Sequence, residues 1–193
     1  MTALTNQSLI PSVSFGYTAG APYSLKKVLG SLTLGGYDQS RSTPNNMTFS
    51  FAPDTDRDIV IGIQSITSTD QDGTQYDFLP TGIDASVDST VAQIWLPLEA
   101  CRLFEEAFGL TYDAENQLYP VNNTLHKKLL AQNTSITFTL GNSDSGGQIL
   151  NITLPYHSFD LQVKPPFASN ATRYFPLQRA ANEMQYTLGR TFL

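Results

Sequence analysis

Apolar and polar residues alternate in short runs along most of this chain, the period of two expected of half-buried β-strands. Gly30-Ser31-Leu32-Thr33-Leu34-Gly35-Gly36-Tyr37-Asp38 alternates and then stops at a glycine pair, as a strand entering a turn does. Met47, Phe49 and Phe51 alternate with Thr48 and Ser50, and Ile59, Ile61 and Ile63 continue the pattern. These two runs predict a hairpin, with Asp54-Thr55-Asp56-Arg57 as its connection. Ser135–Leu140 and Ile149–Leu154 read as further strands, joined by the polar, glycine-rich loop Gly141–Gly147.

Two stretches change period. Pro97 suits a first helical position, and Leu98, Cys101, Leu103, Phe104, Ala107 and Phe108 follow at spacings of three and four, with Gly109 placed to end the helix. Thr124–Gln132 is a shorter helical candidate, with Leu125, Leu129 and Leu130 apolar. No repeat, low-complexity block or linker divides the chain. The expected fold is one all-β domain, mainly antiparallel, with one or two short helices.

Composition agrees with that reading. The 193 residues are enough to bury roughly 70% of the unfolded surface. With 15% charged and 40% hydrophobic residues, a disordered tail and a coiled coil are excluded. A net charge of −6 with only 11 Lys and Arg argues against a nucleic-acid or anionic-membrane partner. No apolar run approaches a membrane span, and the first residues carry neither the basic nor the apolar region of a signal peptide.

Against that missing signal stand six Asn-X-Ser/Thr sequons, at Asn6, Asn46, Asn122, Asn133, Asn151 and Asn170. Eleven Asn in a chain one-fifth Ser and Thr predict roughly two by chance. A secreted or wall-associated glycoprotein explains the excess, and a turn composition rich in Asn, Ser and Thr is the alternative. If the protein is secreted, the chain begins partway through a longer precursor. The lone Cys101 then reads either as half of a bond to something outside this sequence or as a buried thiol on a helix.

Candidate chemistry is sparse. His126 and His157 lie apart from other metal-ligating residues and are expected at the surface; no metal site and no cofactor are expected. There is no phosphate loop and no Gly-X-Ser-X-Gly elbow. What remains is Ala85-Ser86-Val87-Asp88-Ser89-Thr90-Val91, an acidic residue closing an apolar strand and followed by hydroxyls. A carboxylate there costs desolvation energy unless N–H groups and hydroxyls satisfy it. Such a placement suits function, and an ordinary turn Asp is the other reading.

In this order along the chain, four segments resemble the C-terminal lobe of a secreted fungal member of the pepsin-like aspartic proteases. Gly30–Asp38 is similar to the family's Gly-Ser-Leu-x-x-Gly-Gly-x-Asp strand and turn, and Ile61–Ile66 to its next strand. Ala85–Thr90 sits where the lobe carries Ala-x-Val-Asp-Thr/Ser-Gly, and Tyr186–Leu193 resembles the segment that normally reads Leu-Gly-Asp-x-Phe-Leu. The resemblance covers nearly all of residues 1–193.

It implies one lobe of a pepsin-like barrel, with Asp88 as this lobe's half of a catalytic Asp pair. Ser89 would tie the two catalytic loops together, Thr90 would complete the loop, and Leu188 and Gly189 would support it from beneath. The implied activity is peptide-bond hydrolysis by an activated water, on a polypeptide substrate, once an N-terminal lobe supplies the second Asp. The resemblance also implies that the strands closing the lobe lie beyond Leu193. The isolated chain is expected to be inactive and to expose an apolar inter-lobe face, through which it would pair with its missing half or form a homodimer. Three departures stand out: Thr90 replaces Gly, Val91 replaces a hydroxylic residue, and Arg190 replaces Asp. They raise the alternative of a catalytically inactive glycoprotein that binds protein or polysaccharide.

Overall fold

The computed structural model describes residues 1–20, 29–50, 56–70, 72–165 and 170–193. The chain forms two compact units, residues 1–46 with Leu193, and residues 47–192.

The smaller unit holds helix α1 (Thr2–Asn6) and strands β1 (Phe15–Thr18) and β2 (Ser31–Leu34). The two strands pair antiparallel, with Phe15 opposite Leu34 and Tyr17 opposite Leu32. The alternation read in Gly30–Asp38 is therefore a strand, and Gly35 turns the chain at a φ of 78°. A 3-10 turn at Gln39–Arg41 is capped by the Asp38 carboxylate, which accepts from the Ser40 N–H at 3.0 Å.

The larger unit is built on an eight-stranded sheet. Its strands are β3 (Val60–Thr69), β4 (Gln75–Asp77), β5 (Ile83–Val87), β6 (Ile94–Leu96), β8 (Ser135–Gly141), β9 (Ile149–Pro155), β12 (Leu177–Arg179) and β13 (Thr187–Leu188). The order is β12-β6-β13-β5-β3-β8-β9, with β4 paired to β3 beside that path. A second sheet of three strands joins β10 (Leu161–Val163), β11 (Thr172–Phe175) and β7 (Tyr119–Pro120). Pairing is antiparallel except for β12 with β6 and β13 with β5. The fold is mostly β-sheet with a few short helices, as the alternation predicts.

Strand β3 follows from the placement of its isoleucines. Ile61 and Ile63 face the core at the strand period, but Ile66 falls three residues further on, out of phase. A bulge between Ile63 and Ser65 in the pairing with β8 resets the phase, and Ile63 and Ile66 are both wholly buried.

The expected hairpin between 47–51 and 59–63 does not form. Residues 47–50 adopt no strand, while Phe51, Asp54 and Thr55 lie outside the described residues. Strand β3 takes β4, β5 and β8 as its neighbours, all from later in the chain, and these satisfy its backbone groups. Phe49 still packs on the core, so its alternation reports a partly buried side chain without a ladder.

Both helices form. Helix α2 (Leu98–Phe108) has Pro97 as its N-cap, one residue before the expected position, and ends on Gly109 at a φ of 68°. It buries Ala100, Cys101, Phe104 and Phe108. The Phe104 ring stacks on Phe78 at 4.1 Å between centroids, and Phe108 lies 5.6 Å from Phe175. Helix α3 (Asn123–Gln132) is capped by Asn122, whose side chain accepts from the Leu125 N–H at 2.9 Å.

Candidate active site

Strands β5 and β6 are successive in the chain but not adjacent in the sheet. Strand β13 lies between them, parallel to β5 and antiparallel to β6. Thr187 is opposite both Ser86 and Trp95, and Leu188 opposite both Val87 and Ile94. The link from β5 to β6, residues 88–93, must therefore arch over the end of β13, and Asp88 is the first residue of that arch.

The arch is tied to what lies beneath it. The Asp88 N–H donates to the Leu188 carbonyl at 3.1 Å. Beyond β13, the Arg190 N–H donates to the Val91 carbonyl at 2.8 Å, and the Thr191 hydroxyl to the Ala92 carbonyl at 2.8 Å. Leu188 is wholly buried, and Gly189 passes so close that an added Cβ would overlap the Gln93 carbonyl oxygen and stand 2.6 Å from that of Val91. Only glycine fits there. Two residues before Asp88, the Ser86 hydroxyl donates to the Tyr186 carbonyl at 3.2 Å and contacts the Thr187 hydroxyl at 3.0 Å, locking β5 to β13.

The Asp88 carboxylate is half-buried, and its orientation is set locally. The Thr90 N–H and the Thr90 hydroxyl each donate to Oδ1 at 2.7 Å. Short donors to an ionised oxygen are about twice as strong as neutral ones. Both converge on one oxygen, and no described residue donates to the other. Thr90 is not among the residues with positive φ, so its branched side chain sits without backbone strain. The hydroxyl absent at Val91 is thus supplied one position earlier. Ser89 is half-buried, and its hydroxyl has no partner among the described residues. Arg190 is exposed, and only its backbone enters the loop contacts.

The other singled-out residues fall elsewhere. Cys101 is a wholly buried free thiol whose Sγ donates to the Gln178 carbonyl at 3.5 Å, and burial pushes its pKa up to about 12. That settles it as a packed side chain. His157 is exposed as expected. His126 is not at the surface: its side chain is 13% exposed, and its Nδ1 lies 3.3 Å from Asp160. Helix α3 carries it inward against the 3-10 turn at Tyr156–Phe159. All six sequon asparagines are exposed. Among the described residues no group of three His, Cys, Asp or Glu could hold a metal ion, and no helix is long and apolar enough to cross a membrane.

One cluster escaped the sequence reading. The Arg179 guanidinium donates to Glu105 at 2.7 Å and to the Tyr119 hydroxyl at 3.0 Å, that hydroxyl donates to the same Glu105 oxygen at 2.7 Å, and the Tyr112 ring lies 4.1 Å from Arg179. Burial and the Glu105 hydrogen bond push the Tyr119 pKa up. The network fastens β12 to α2 and sits apart from the Asp88 arch. An Arg beside Gln178 in the mostly apolar Phe175–Ala181 run was the available signal. A cleft of about 430 Å³, lined in part by Asp84, Glu99, Asp144 and Glu183, opens near the start of β5, away from Asp88.

No family model and no curated protein matches this sequence. Among solved structures, the chain is similar to the crystal structure of the aspartic proteinase from Irpex lacteus, with a TM-score of 0.62 and 18% identity. The match covers 98% of this chain and 53% of that one, so the chain spans about half the length of its structural relative. At that identity the likeness is one of fold, and the fold of this chain is pepsin-like.

Proposed function

We propose that this chain is the C-terminal lobe of a secreted fungal aspartic endopeptidase and that Asp88 supplies one carboxylate of its catalytic pair. The observation that carries the reading is the Asp88 arch, threaded over β13 and holding Oδ1 with two donors at 2.7 Å. An oriented carboxylate with one oxygen left free is the half-site such chemistry needs. A second Asp from an N-terminal lobe faces it, and the pair shares one proton because two like charges a few ångströms apart resist joint ionisation. A water between them attacks the peptide carbonyl. The ionised carboxylate takes the water's proton while the protonated partner polarises the carbonyl oxygen. Ser89, whose hydroxyl has no partner among the described residues, serves in this reading to meet the opposite loop.

The exposed apolar face of the smaller unit supports a missing partner. Phe15 is 56% and Leu32 62% exposed on a strand pair whose alternation predicts burial. The N-terminal lobe of the same precursor is the proposed occupant, and a homodimer of the isolated lobe the substitute. The six exposed sequon asparagines support secretion or wall association. The test is hydrolysis of a denatured protein by the full-length gene product at about pH 3–5, with and without Asp88→Asn. Loss of activity in the variant is expected, and full activity overturns the assignment.

A second reading rests on Val91, Thr90 and Arg190, which depart from the catalytic pattern: a catalytically inactive glycoprotein binding protein or polysaccharide. An inactive parent that binds such a ligand, and stays inactive as Thr90→Gly, establishes this reading.

A further inference from the structure

The eight-stranded sheet has three free ends, and they are protected unequally. Strand β12 at one end is three residues long, buried at Leu177 and Gln178, and fastened to α2 through the Arg179–Glu105 pair. Strand β4 is also three residues long, carries Asp77, and follows the acidic turn of Asp70 and Asp72. Strand β9 at the other end is seven residues long and, among the described residues, pairs only with β8. Its sequence, Ile149-Leu150-Asn151-Ile152-Thr153-Leu154-Pro155, holds no charge, and Pro155 alone interrupts its N–H groups, at the very end. Exposed edges of this length are ordinarily blunted by charge, proline or a covering element. Among the described residues none of these is present along the strand's middle.

The same strand is self-complementary. Turned antiparallel about a two-fold axis through Ile152, it sets Leu150 opposite Leu154, Asn151 opposite Thr153 and Ile149 opposite Pro155. Leu150, Ile152 and Leu154 are half-buried on the core face, beside Ile136, Phe138 and Leu140 of β8. A second copy would extend that apolar face unbroken. On the opposite face, Ser65, Thr67, Thr137, Thr139 and Thr153 form a ladder of hydroxyls, with Thr137 and Thr153 bonded at 2.9 Å. Pairing would continue this polar face too. An isologous contact of this kind closes on itself and stops at two copies.

We propose that β9 is a homodimerisation edge, on which two copies of this chain pair antiparallel about Ile152 to merge their sheets. This surface lies on the larger unit and is independent of catalysis.

Sedimentation velocity on the chain, with any N-glycans enzymatically removed because Asn151 begins a sequon, tests the pairing. A dimer that grows with concentration is expected. The double variant Asn151→Lys/Thr153→Lys puts like charges opposite each other on both sides of the axis and should weaken the dimer about tenfold or more. Oxidation of Ile152→Cys should trap a disulfide dimer, because that position meets its own copy, whereas Thr153→Cys should not. Cys101 is buried and does not compete. Should the lysine variant fail to fold, the cysteine pair still decides. A monomer at every concentration, a dimer indifferent to the lysines, or equal cross-linking at 152 and 153 overturns the proposal.

Discussion

Thr90 replaces the smallest residue of the resembled motif with a branched one, and its two donors answer for both changes in that motif. Its N–H and hydroxyl bind the same oxygen of Asp88 at 2.7 Å, so the hydroxyl lost at Val91 returns from a neighbouring position. Hydrogen bonds to a charged group contribute about 1.5–3 kcal/mol. Under the proposed function, Thr90→Val should lower kcat/KM of the full-length product roughly ten- to a hundredfold, while Thr90→Ser should stay within a few-fold of the parent. A loss in Thr90→Ser without one in Thr90→Val would mean that the branch, not the hydroxyl, matters. Cys101 gives a second test at this scale. Burial holds its pKa at about 12, so little reactive thiolate exists near pH 8. A thiol reagent should leave the native chain untouched and label one site on unfolding. Rapid native labelling would place the thiol at the surface.

Among the elements, the legible ones are those whose pattern closes locally. Helix α2 announces itself by apolar spacing between Pro97 and Gly109, and the β8–β9 hairpin by two alternating runs around a glycine-rich loop. The 47–51 strand fails for the opposite reason: alternation marks a buried face but does not name the partner, and β3 pairs instead with β4, β5 and β8, all later in the chain. Strand β13 is two residues long and lies across from Ser86, 101 residues earlier than Thr187. No periodicity reveals such an element, and only the resemblance linked Leu188 and Gly189 to Asp88. Gly189 also carries a stability prediction. An added Cβ would overlap the Gln93 carbonyl, so Gly189→Ala should cost about 3 kcal/mol, read as a lower denaturant midpoint. An unchanged midpoint would mean the arch shifts freely above β13.

For the whole molecule, length and composition suggest a self-contained globular domain, yet the chain matches only 53% of its structural relative. The exposed Phe15 and Leu32 give that arithmetic a physical counterpart: an apolar strand pair without a cover. Alternation told that these residues lie on one face. It did not tell that the face is left open, because burial depends on what arrives from elsewhere. The proposed two-lobed peptidase joins these observations to the Asp88 arch, since a half-site, an open face and a half-length match all call for a second lobe.

The central claim is that Asp88 is one of two catalytic carboxylates, and hydrolysis of a denatured protein by the full-length product tests it most directly. At about pH 3–5, Asp88→Asn should keep the parent's fold and lose at least roughly a thousandfold in kcat, because removing the ionisable oxygen leaves the pair without its shared proton. A parent that cleaves the substrate equally well with Asn at position 88 would contradict the account.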